Sequence, residues 1–481
     1  MRVLRILCLT LVVTLIGAGS ALSQKWTPLK HQPSFSAGVA LLLTDGTVMV
    51  QDAGGRNWWK LTPDSHANYI NGTWTQLASL PTNYSPLYFS SAVLPDGRVI
   101  VEGGEYNFFN PTWTNLGAIY DPLADKWTSV NPPSGWANIG DAQSVILSDG
   151  TYMQANALNT QQATLNAQTL AWTNLTNTGK KDRFDEEGWT LLPDGTVLTV
   201  DALNAPNAEK FIPSTGKWID AGNTIVRLED PGSQELGPAV LMPDGRVLAT
   251  GATGHNAVYT PPPNPMDPGT WAVAPDFPKV GGQQLDIGDG PAALLPGGNV
   301  LCATSPGIFQ PDVHFFEFDG AKFTEVPRTP SSPSDTSYQD TMLVLPTGQI
   351  LLTNQTNDVE VYTATGSPKS AWKPRITAAP TQVTRGTTYQ LSGRGLNGLS
   401  QGAAYGDDAQ MATNYPMVVI YNKASKHIFF ARTHDHSFMG VRYTGVVSTS
   451  FDVPANAETG ASYLLVVTNG IQSSPVSVTV Q

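Results

Sequence analysis

Pairs of short hydrophobic runs, each pair joined by a glycine-containing two-residue turn, recur seven times along the chain. In one pair the runs are Ala92-Val93-Leu94-Pro95 and Arg98-Val99-Ile100-Val101, and this pattern predicts a β-hairpin. The turns lie at Asp45-Gly46, Asp96-Gly97, Asp149-Gly150, Asp194-Gly195, Asp244-Gly245, Gly297-Gly298 and Thr347-Gly348. Successive turns are 45 to 53 residues apart, which predicts one supersecondary unit repeated around an axis.

An aromatic residue follows each of the first six turns at a similar distance and predicts the last strand of each unit. These residues are Trp74, Trp127, Trp172, Trp218, Trp271 and Phe323. The seventh hairpin has no such strand after it, whereas Trp26-Thr27 precedes the first hairpin without a unit of its own. We therefore expect an all-β, seven-bladed β-propeller in which the N-terminal strand completes the seventh blade and leaves no open edge.

The repeat ends near residue 371, and the sequence then changes to short Thr/Val/Tyr-rich runs separated by turns, such as Tyr463-Leu464-Leu465-Val466-Val467. About a hundred residues of this kind predict an antiparallel β-sandwich of immunoglobulin type. The predicted domains are a signal peptide at 1–23, the propeller at 24–370 and the sandwich at 371–481.

Residues 1–23 combine Arg2 and Arg5 with an apolar run and small residues, which predicts a secretory signal. The alternative is an N-terminal anchor, but the apolar run is short for a membrane span. Removal of this segment leaves 25 basic against 39 acidic residues, a net charge of −14. Such a surface repels phosphate backbones and anionic lipid. We expect a secreted or periplasmic monomer that binds no nucleic acid and does not insert into a membrane.

Cys302 is the one cysteine left after that removal, so no intramolecular disulfide is possible. It falls in the second strand of the sixth unit, where we expect a buried, inert thiol rather than a reactive one. Stability must then come from burial and ring closure.

The first strand of each propeller blade lines the central channel, so its first residues, eight or nine positions before each turn, lie at the channel mouth. These positions hold Ala37, Tyr88, Asp141, Glu186, Glu235, Asp289 and the pair Tyr338-Gln339. Several carboxylates and two phenols can bind a hard cation or a polyhydroxy ligand, and crowding can turn one carboxyl into a proton donor. The alternative is that these acids only cap loops by hydrogen bonding to the backbone.

Two histidines of the second domain, His434 and His436, are spaced for one face of a strand. They are close enough to share a metal whose remaining ligands come from the propeller. The alternative is a solvated or hydrogen-bonded pair without a metal.

The organisation as a whole resembles the galactose oxidase and glyoxal oxidase family of copper radical oxidases. The resemblance covers essentially all of the chain after residue 23, and the double glycines of kelch motifs remain at Gly54-Gly55 and Gly103-Gly104. It implies a kelch-type propeller followed by an immunoglobulin-like early-set domain, which sends a histidine-bearing loop into the channel.

The copper site of that family is matched in part. Tyr88, in Tyr88-Phe89-Ser90-Ser91-Ala92, matches the cross-linked tyrosine, and Tyr338 matches the axial one. The second-domain histidine is matched by His434 or His436. The resemblance therefore implies Tyr88, Tyr338 and His436 as catalytic residues, and these three with His434 as metal ligands.

Two positions depart from the family. Ala37 stands where the cysteine of the Tyr–Cys cofactor is expected, and Gln339 replaces a histidine ligand. A thioether-tuned tyrosine radical needs the sulfur, and an amide is a weak copper ligand. These departures disfavour a copper radical oxidase and predict no Tyr–Cys cross-link, leaving a divalent metal such as copper or calcium as the cofactor that the residues allow.

Three functions fit the sequence. The first is an exported propeller protein that binds a carbohydrate or other polyhydroxy ligand through Asp141, Glu186, Glu235, Asp289 and Gln339. Loop aromatics that can stack on sugar rings are Trp58, Trp59, Tyr106, Phe108 and Phe109. The second is a metal-dependent or acid/base enzyme, an oxidase, lyase or hydrolase, that uses the same mouth. The third is a cell-surface interaction scaffold, since fold alone does not decide function.

Overall fold

The computed structural model describes residues 24–408 and 411–481. The predicted signal peptide at 1–23 lies outside these residues. The described chain is all-β, and its helical structure is limited to three short 3₁₀ turns at Tyr69–Asn71, Ser337–Gln339 and Ser370–Trp372. In the part of the chain described, no helix is long and apolar enough to cross a membrane.

Seven antiparallel sheets of four or more strands follow one another within residues 24–408. Sheet one contains Ala37–Leu42, Val48–Asp52, Trp58–Thr62 and Thr73–Gln76. Sheet two contains Ser90–Val93, Val99–Glu102, Gly117–Asp121 and Lys126–Val130. Sheet three contains Ser144–Ile146, Tyr152–Ala155, Gln162–Asn166 and Ala171–Leu175. Sheet four contains Thr190–Leu191, Val197–Val200, Asn207–Ile212 and Lys217–Asn223.

The remaining three sheets repeat the same order. Sheet five contains Ala239–Leu241, Val247–Ala249, Asn256–Thr260 and Thr270–Ala274. Sheet six contains Ala292–Leu294, Val300–Thr304, His314–Phe318 and Phe323–Glu325. Sheet seven contains Thr341–Val344, Ile350–Thr353, Glu360–Thr363 and, as its fourth strand, the N-terminal Lys25–Pro28. Trp26 pairs with Tyr362 there, and the first strands of sheets seven and one contact each other.

The hairpin connections are three residues long, not the two that the Asp-Gly pairs predict. In sheet one the Leu43 amide donates to the Thr47 carbonyl at 2.8 Å and the Gly46 amide donates to the Leu43 carbonyl at 3.0 Å. This is a turn followed by a left-handed residue, for which glycine is favoured because it lacks a side chain. The same two bonds recur at all seven turns. The second residue of each turn is a glycine with a φ angle between +80° and +102°.

The fourth-strand tryptophans link neighbouring sheets. The Trp127 indole donates to the Ala78 carbonyl at 3.0 Å, and the Trp271 indole donates to the Ala221 carbonyl at 2.9 Å. In each case the acceptor belongs to the end of the preceding sheet. In these two sheets a large aromatic side chain with a satisfied N–H therefore packs one sheet against the next.

The C-terminal strands form one sheet that folds over its own core. Its order is Arg375–Ala378, Thr388–Arg394, Val446–Asp452, Ile428–His434, Met417–Asn422, Gly460–Thr468, Val476–Val480 and Gln382–Val383, with Ile471–Gln472 paired to Gly460–Thr468. Leu391 and Phe451 from one half share an apolar cluster with Val466 and Val478 from the other half.

This C-terminal unit packs on the hairpin-turn end of the seven sheets. The Thr433 amide donates to Thr44 at 3.1 Å, and the Met439 amide donates to Ser148 at 2.9 Å. From this end one loop runs into the channel between the first strands. Residues 401–408, the channel loop, include Ala403–Ala404, which pairs with Ala292–Leu294 as a fifth strand of sheet six.

Candidate functional site

A cavity of about 420 Å³, here called the mouth, lies where the first strands begin, at the end of the channel opposite the hairpin turns. Its size is within the range of small-molecule sites. The lining residues are Leu87, Tyr88, Glu105, Tyr106, Phe109, Asp141, Glu186, Glu235, Asp289, Phe309, Tyr338 and Asp407.

The structure brings four of the predicted acids together in this lining. Asp141, Glu186, Glu235 and Asp289 come from sheets three, four, five and six, and each stands just before the first strand of its sheet. Tyr88 and Tyr338 stand at the same place in sheets two and seven. Counting back from the turns of sheets two to seven therefore leads to one shared cavity, whereas Ala37 of sheet one is outside its lining.

The backbone at several of these positions is left-handed. The φ angles of Tyr88, Glu186 and Asp289 are +51°, +60° and +49°, although none of them is glycine. Residues held in this region cost about 1–3 kcal/mol each and cluster at functional sites. In sheets three and five the left-handed residue comes one position earlier, at Gly140 and Gln234.

The C-terminal unit contributes Asp407 to the mouth through the channel loop. Before it, the Tyr405 hydroxyl donates to the Tyr338 carbonyl at 2.5 Å, and Gly406 passes against Asp289. Asp407 is buried, with 4% of its surface exposed. Sequence reasoning missed this residue, because its only signal is the pair Asp407-Asp408 in a stretch without strand alternation.

His434 and His436 lie at the other end of the molecule, which corrects the expectation that one of them reaches the tyrosines. The His436 amide donates to the Pro95 carbonyl at 3.1 Å, beside the hairpin turn of sheet two, and its ring contacts Thr449 Oγ1 at 2.9 Å. Burial lowers the pKa of His436 to about 3, so its ring is neutral. His434 contacts Asp435 and Asp452 at 2.8 Å and 3.2 Å.

Gln339 is outside the lining, which does not support its predicted contact with a ligand. Its amide oxygen accepts a hydrogen bond from Thr336 Oγ1 at 3.0 Å, in the 3₁₀ turn Ser337–Gln339. The neighbouring Tyr338 does face the mouth and contacts Phe309 edge-on, with ring centroids 5.1 Å apart.

The rim of the mouth carries exposed rings. Phe109 and Phe309 are 66% and 46% exposed, and Tyr106 packs against Tyr88. Of the aromatics named from the sequence, Trp58 is fully buried and Trp59 is stacked on Phe35, so both serve packing. Phe309 and Glu105 were not predicted, because they do not stand at the eight-or-nine spacing.

Burial and mutual repulsion raise the pKa values of the mouth acids. Burial raises the pKa of Glu105 to about 7, and the charges of Asp289 and Asp185 add to this shift. Burial also raises the pKa of Asp289 to about 6. The pKa of Glu235 is raised well above its ordinary value by burial and by the charges of Asp289 and Glu186.

Three of the acids are arranged to hold a metal ion. One carboxylate oxygen from each of Glu186, Asp289 and Asp407 lies within 4.8 Å of the others. Carboxylate oxygens suit hard cations such as Ca²⁺.

The lining does not fit the copper radical set. Copper favours imidazole and thiolate ligands, and the described residues of the lining include neither histidine nor cysteine. Ala37, the position that the resemblance gives to the cysteine, is buried in sheet one and is absent from the lining. Cys302 lies buried in sheet six in an apolar cluster with Val300 and Phe316, and burial raises the pKa of its thiol.

A second group of acids, in sheet four, already contains a cation of the chain. The Lys180 ammonium lies 2.9 Å from Glu187, 2.9 Å from Glu209 and 3.7 Å from Asp201, and it also contacts Asp182. Its side chain is fully buried. Buried charges need such partners, so this cluster is structural.

The chain was compared with known proteins. No protein-family model matches it. The Kelch-like protein terF of Aspergillus terreus is 30% identical over 136 residues, which is 26% of this chain and 26% of that protein. The chain therefore spans about a quarter of the length of this curated relative.

Among solved structures, a fungal alcohol oxidase of the AA5 family, in complex with copper, superposes with a TM-score of 0.56 at 14% identity. The match covers 96% of this chain and 100% of that one. At this identity the likeness concerns the fold alone. The chain has a kelch-like, galactose-oxidase-like propeller fold.

Proposed function

We propose that this chain is an exported, seven-bladed kelch-type propeller protein, closed by its N-terminal strand and followed by an immunoglobulin-like early-set domain. It binds a carbohydrate or other polyhydroxy ligand at the acidic mouth. It does so without a Tyr–Cys cofactor. In this proposal the protein acts as a monomer outside the cytoplasm, and its partner is a small polar ligand rather than a nucleic acid or a membrane.

The combination of carboxyl groups and exposed rings in one cavity carries this proposal. Asp141 and Glu235 are each 7% exposed and face the mouth, where carboxyl oxygens accept hydrogen bonds from sugar hydroxyls. Phe109 and Phe309 at the rim offer apolar faces on which a sugar ring stacks. Small-molecule sites commonly combine apolar and aromatic lining residues with a few precisely placed polar groups.

A glycan array probed with the purified protein tests the proposal. Glycans bound by the parent are then titrated against Glu235→Gln, Asp141→Asn and Phe109→Ala. The matched control is Phe108→Ala, since the structure places this exposed ring outside the lining of the mouth. We expect a loss of at least tenfold in affinity for the first three, since each removes a direct contact. Glycan binding that is unchanged in both acid variants would mean that the ligand binds outside the mouth. An array without any bound glycan would overturn the proposal.

A second candidate function is acid/base catalysis at the same mouth, as in a hydrolase or lyase. The observation in its favour is Glu235, whose pKa is raised well above its ordinary value beside Asp289 and Glu186. A protonated carboxyl next to carboxylates is the pairing that general acid catalysis uses.

Turnover distinguishes the two functions. The bound glycans are incubated with the parent and with Glu235→Gln, and the products are analysed by mass spectrometry. Cleavage by the parent that falls at least a hundredfold in the variant would establish the catalytic role, within the usual contribution of one general acid. Glycan binding without any product would contradict the catalytic function and leave ligand binding as the function of the mouth.

A further inference from the structure

We propose that Glu186, Asp289 and Asp407 bind one calcium ion at the mouth, in place of the copper that the fold's relatives suggest. The ion is held jointly by two propeller sheets and by the channel loop of the C-terminal unit. This inference deepens the proposed function and rests on it for one part only, namely that the ion faces the bound ligand.

The spacing of the three acids suits such an ion. Their nearest carboxylate oxygens lie within 4.8 Å of one another. Calcium takes oxygen ligands at about 2.3–2.6 Å, so two oxygens on one ion are separated by no more than about 5 Å. Calcium also tolerates irregular geometry and six to eight ligands, which three carboxylates from separate elements supply together with water or ligand hydroxyls.

Independent of this cluster, two other buried acids of the same lining each have a carboxylate oxygen without a hydrogen-bond partner. Asp141 Oδ1 and Glu235 Oε2 have no hydrogen-bond partner, and both residues are more than nine-tenths buried. A buried carboxylate oxygen without a donor is costly unless a cation or proton balances it. Both residues line the mouth with the three proposed ligands.

The described lining of the mouth is strongly acidic. It contains six acids, and none of its described residues is a lysine, arginine or histidine. Arg183, close in sequence to Glu186, is paired with Asp185 at 2.6 Å. The sheet-four cluster differs, because Lys180 provides its cation. Comparison of the two clusters indicates that the mouth takes its cation from solution.

The backbone supports a fixed site. Glu186 and Asp289 both adopt left-handed φ angles, and Gly406 lies against Asp289 on the channel loop. Strain of this kind persists where the surroundings fix it, as at ligand sites. The ligand carboxylates are therefore positioned before the ion arrives, which favours affinity.

Calcium binding is measured by isothermal titration with CaCl₂ on the full mature chain after dialysis against EDTA. We expect one equivalent bound, and at least a tenfold weaker affinity in Asp407→Asn and Glu186→Gln, since each loses a charged ligand. Asp182→Asn in the Lys180 cluster is the matched control and keeps the parent affinity. Thermal unfolding with and without CaCl₂ establishes that each variant is folded.

A second variant tests the choice of metal. Asp407→His replaces an oxygen ligand by imidazole, and we expect it to weaken Ca²⁺ binding and to strengthen Cu²⁺ binding, each at least tenfold. The inference is overturned if the parent takes up no calcium, if Asp407→Asn binds it as the parent does, or if Asp182→Asn alone abolishes binding. Failure of the proposed function looks different. Calcium uptake without any glycan binding would overturn the proposed function and leave the ion site in place. Glycan binding that EDTA does not change, in a parent that takes up calcium, would overturn only the contact between ion and ligand.

Discussion

Gly406 and Asp289 approach so closely that a β-carbon on Gly406 would lie 2.4 Å from Asp289 Oδ1 and 3.2 Å from the Leu236 carbonyl oxygen. Gly406 belongs to the channel loop of the C-terminal unit, and Asp289 begins the channel wall of sheet six. The C-terminal unit and sheet six therefore contribute to one site. The channel loop can approach Asp289 this closely because Gly406 has no side chain. The φ angle of Gly406 is not in the left-handed region, so space alone requires the glycine.

The change Gly406→Ala is expected to displace the channel loop. The added methyl group meets backbone and a carboxylate, and such overpacking typically costs about 1–3 kcal/mol in the free energy of unfolding. Chemical denaturation measures this loss. Gly297→Ala is the control, since its nearest atom lies 3.4 Å from the added carbon. Equal stability of the two variants would mean that the loop does not press on Asp289.

The pH dependence of stability is expected to report the pKa of Glu105, which the fold raises to about 7. The folded state then holds a proton that the unfolded state releases near its ordinary value of 4.5. This contribution to stability is complete below about pH 4.5 and is lost as the pH rises to about 7. Parent and Glu105→Gln are compared by thermal unfolding in EDTA, so that all other titrating groups cancel.

The parent should lose thermal stability relative to Glu105→Gln as the pH rises between those values. Asp149→Asn, which changes an exposed acid at a hairpin turn, should show no such trend. A constant difference between the parent and Glu105→Gln across this range would contradict the raised pKa of Glu105.

The sequence predicts the seven hairpins and the mouth acids of sheets three to six because both depend on local spacing. The turn glycines need a left-handed conformation, and the count from each turn back to the channel end is fixed by strand length. Asp407 does not stand at a fixed number of residues from a hairpin turn. It reaches the mouth through a long connection whose path depends on tertiary packing against Ala292–Leu294, and no local pattern encodes that.

The histidines illustrate the same limit. His434 and His436 match a family pattern in type and spacing, but spacing along one strand does not say which end of the molecule the strand faces. The contacts of His436 with Pro95 and Thr449 place it where the C-terminal unit packs on the hairpin-turn end of the sheets.

His436→Ala is therefore expected to affect stability but not the mouth. The ring is 8% exposed and stacks on Tyr415 with centroids 6.0 Å apart, so its loss should cost about 1–3 kcal/mol, as for other buried side chains. Calcium affinity should equal that of the parent. His255→Ala, at an exposed site, is the control for stability. Loss of calcium binding in His436→Ala would restore a metal role for this histidine.

Closure of sheet seven is expected to depend on Trp26. Its ring lies 4.7 Å from that of Phe315 and 4.9 Å from that of Tyr362, and its indole donates to the Pro327 carbonyl at 2.8 Å. Trp26→Ala should lower the free energy of unfolding by about 3 kcal/mol, as large-to-small changes of aromatic residues do. Lys25→Ala on the same strand is exposed and should be neutral. Equal denaturation midpoints would mean that the N-terminal strand does not hold the ring closed.

Lys180 is expected to be indispensable for a different reason, since it is the one cation described among four buried or nearly buried acids. Lys180→Met leaves those charges unpaired, and removal of one partner from a buried ion pair typically costs about 3–5 kcal/mol. The loss should be largest at pH 7 and smaller near pH 4, because protonation of the acids relieves the repulsion. Burial raises the pKa of Asp201 to about 7 and also raises the pKa of Glu187, so both acids take up protons more readily than in water as the pH falls. Lys181→Met, at the exposed neighbouring position, controls for the loss of one positive charge. If both variants unfold at the same denaturant concentration at pH 7, the acids around Lys180 do not carry the charges assigned to them. The contrast between this cluster, whose cation is Lys180, and the mouth, which is proposed to bind a cation from solution, would then fail as well.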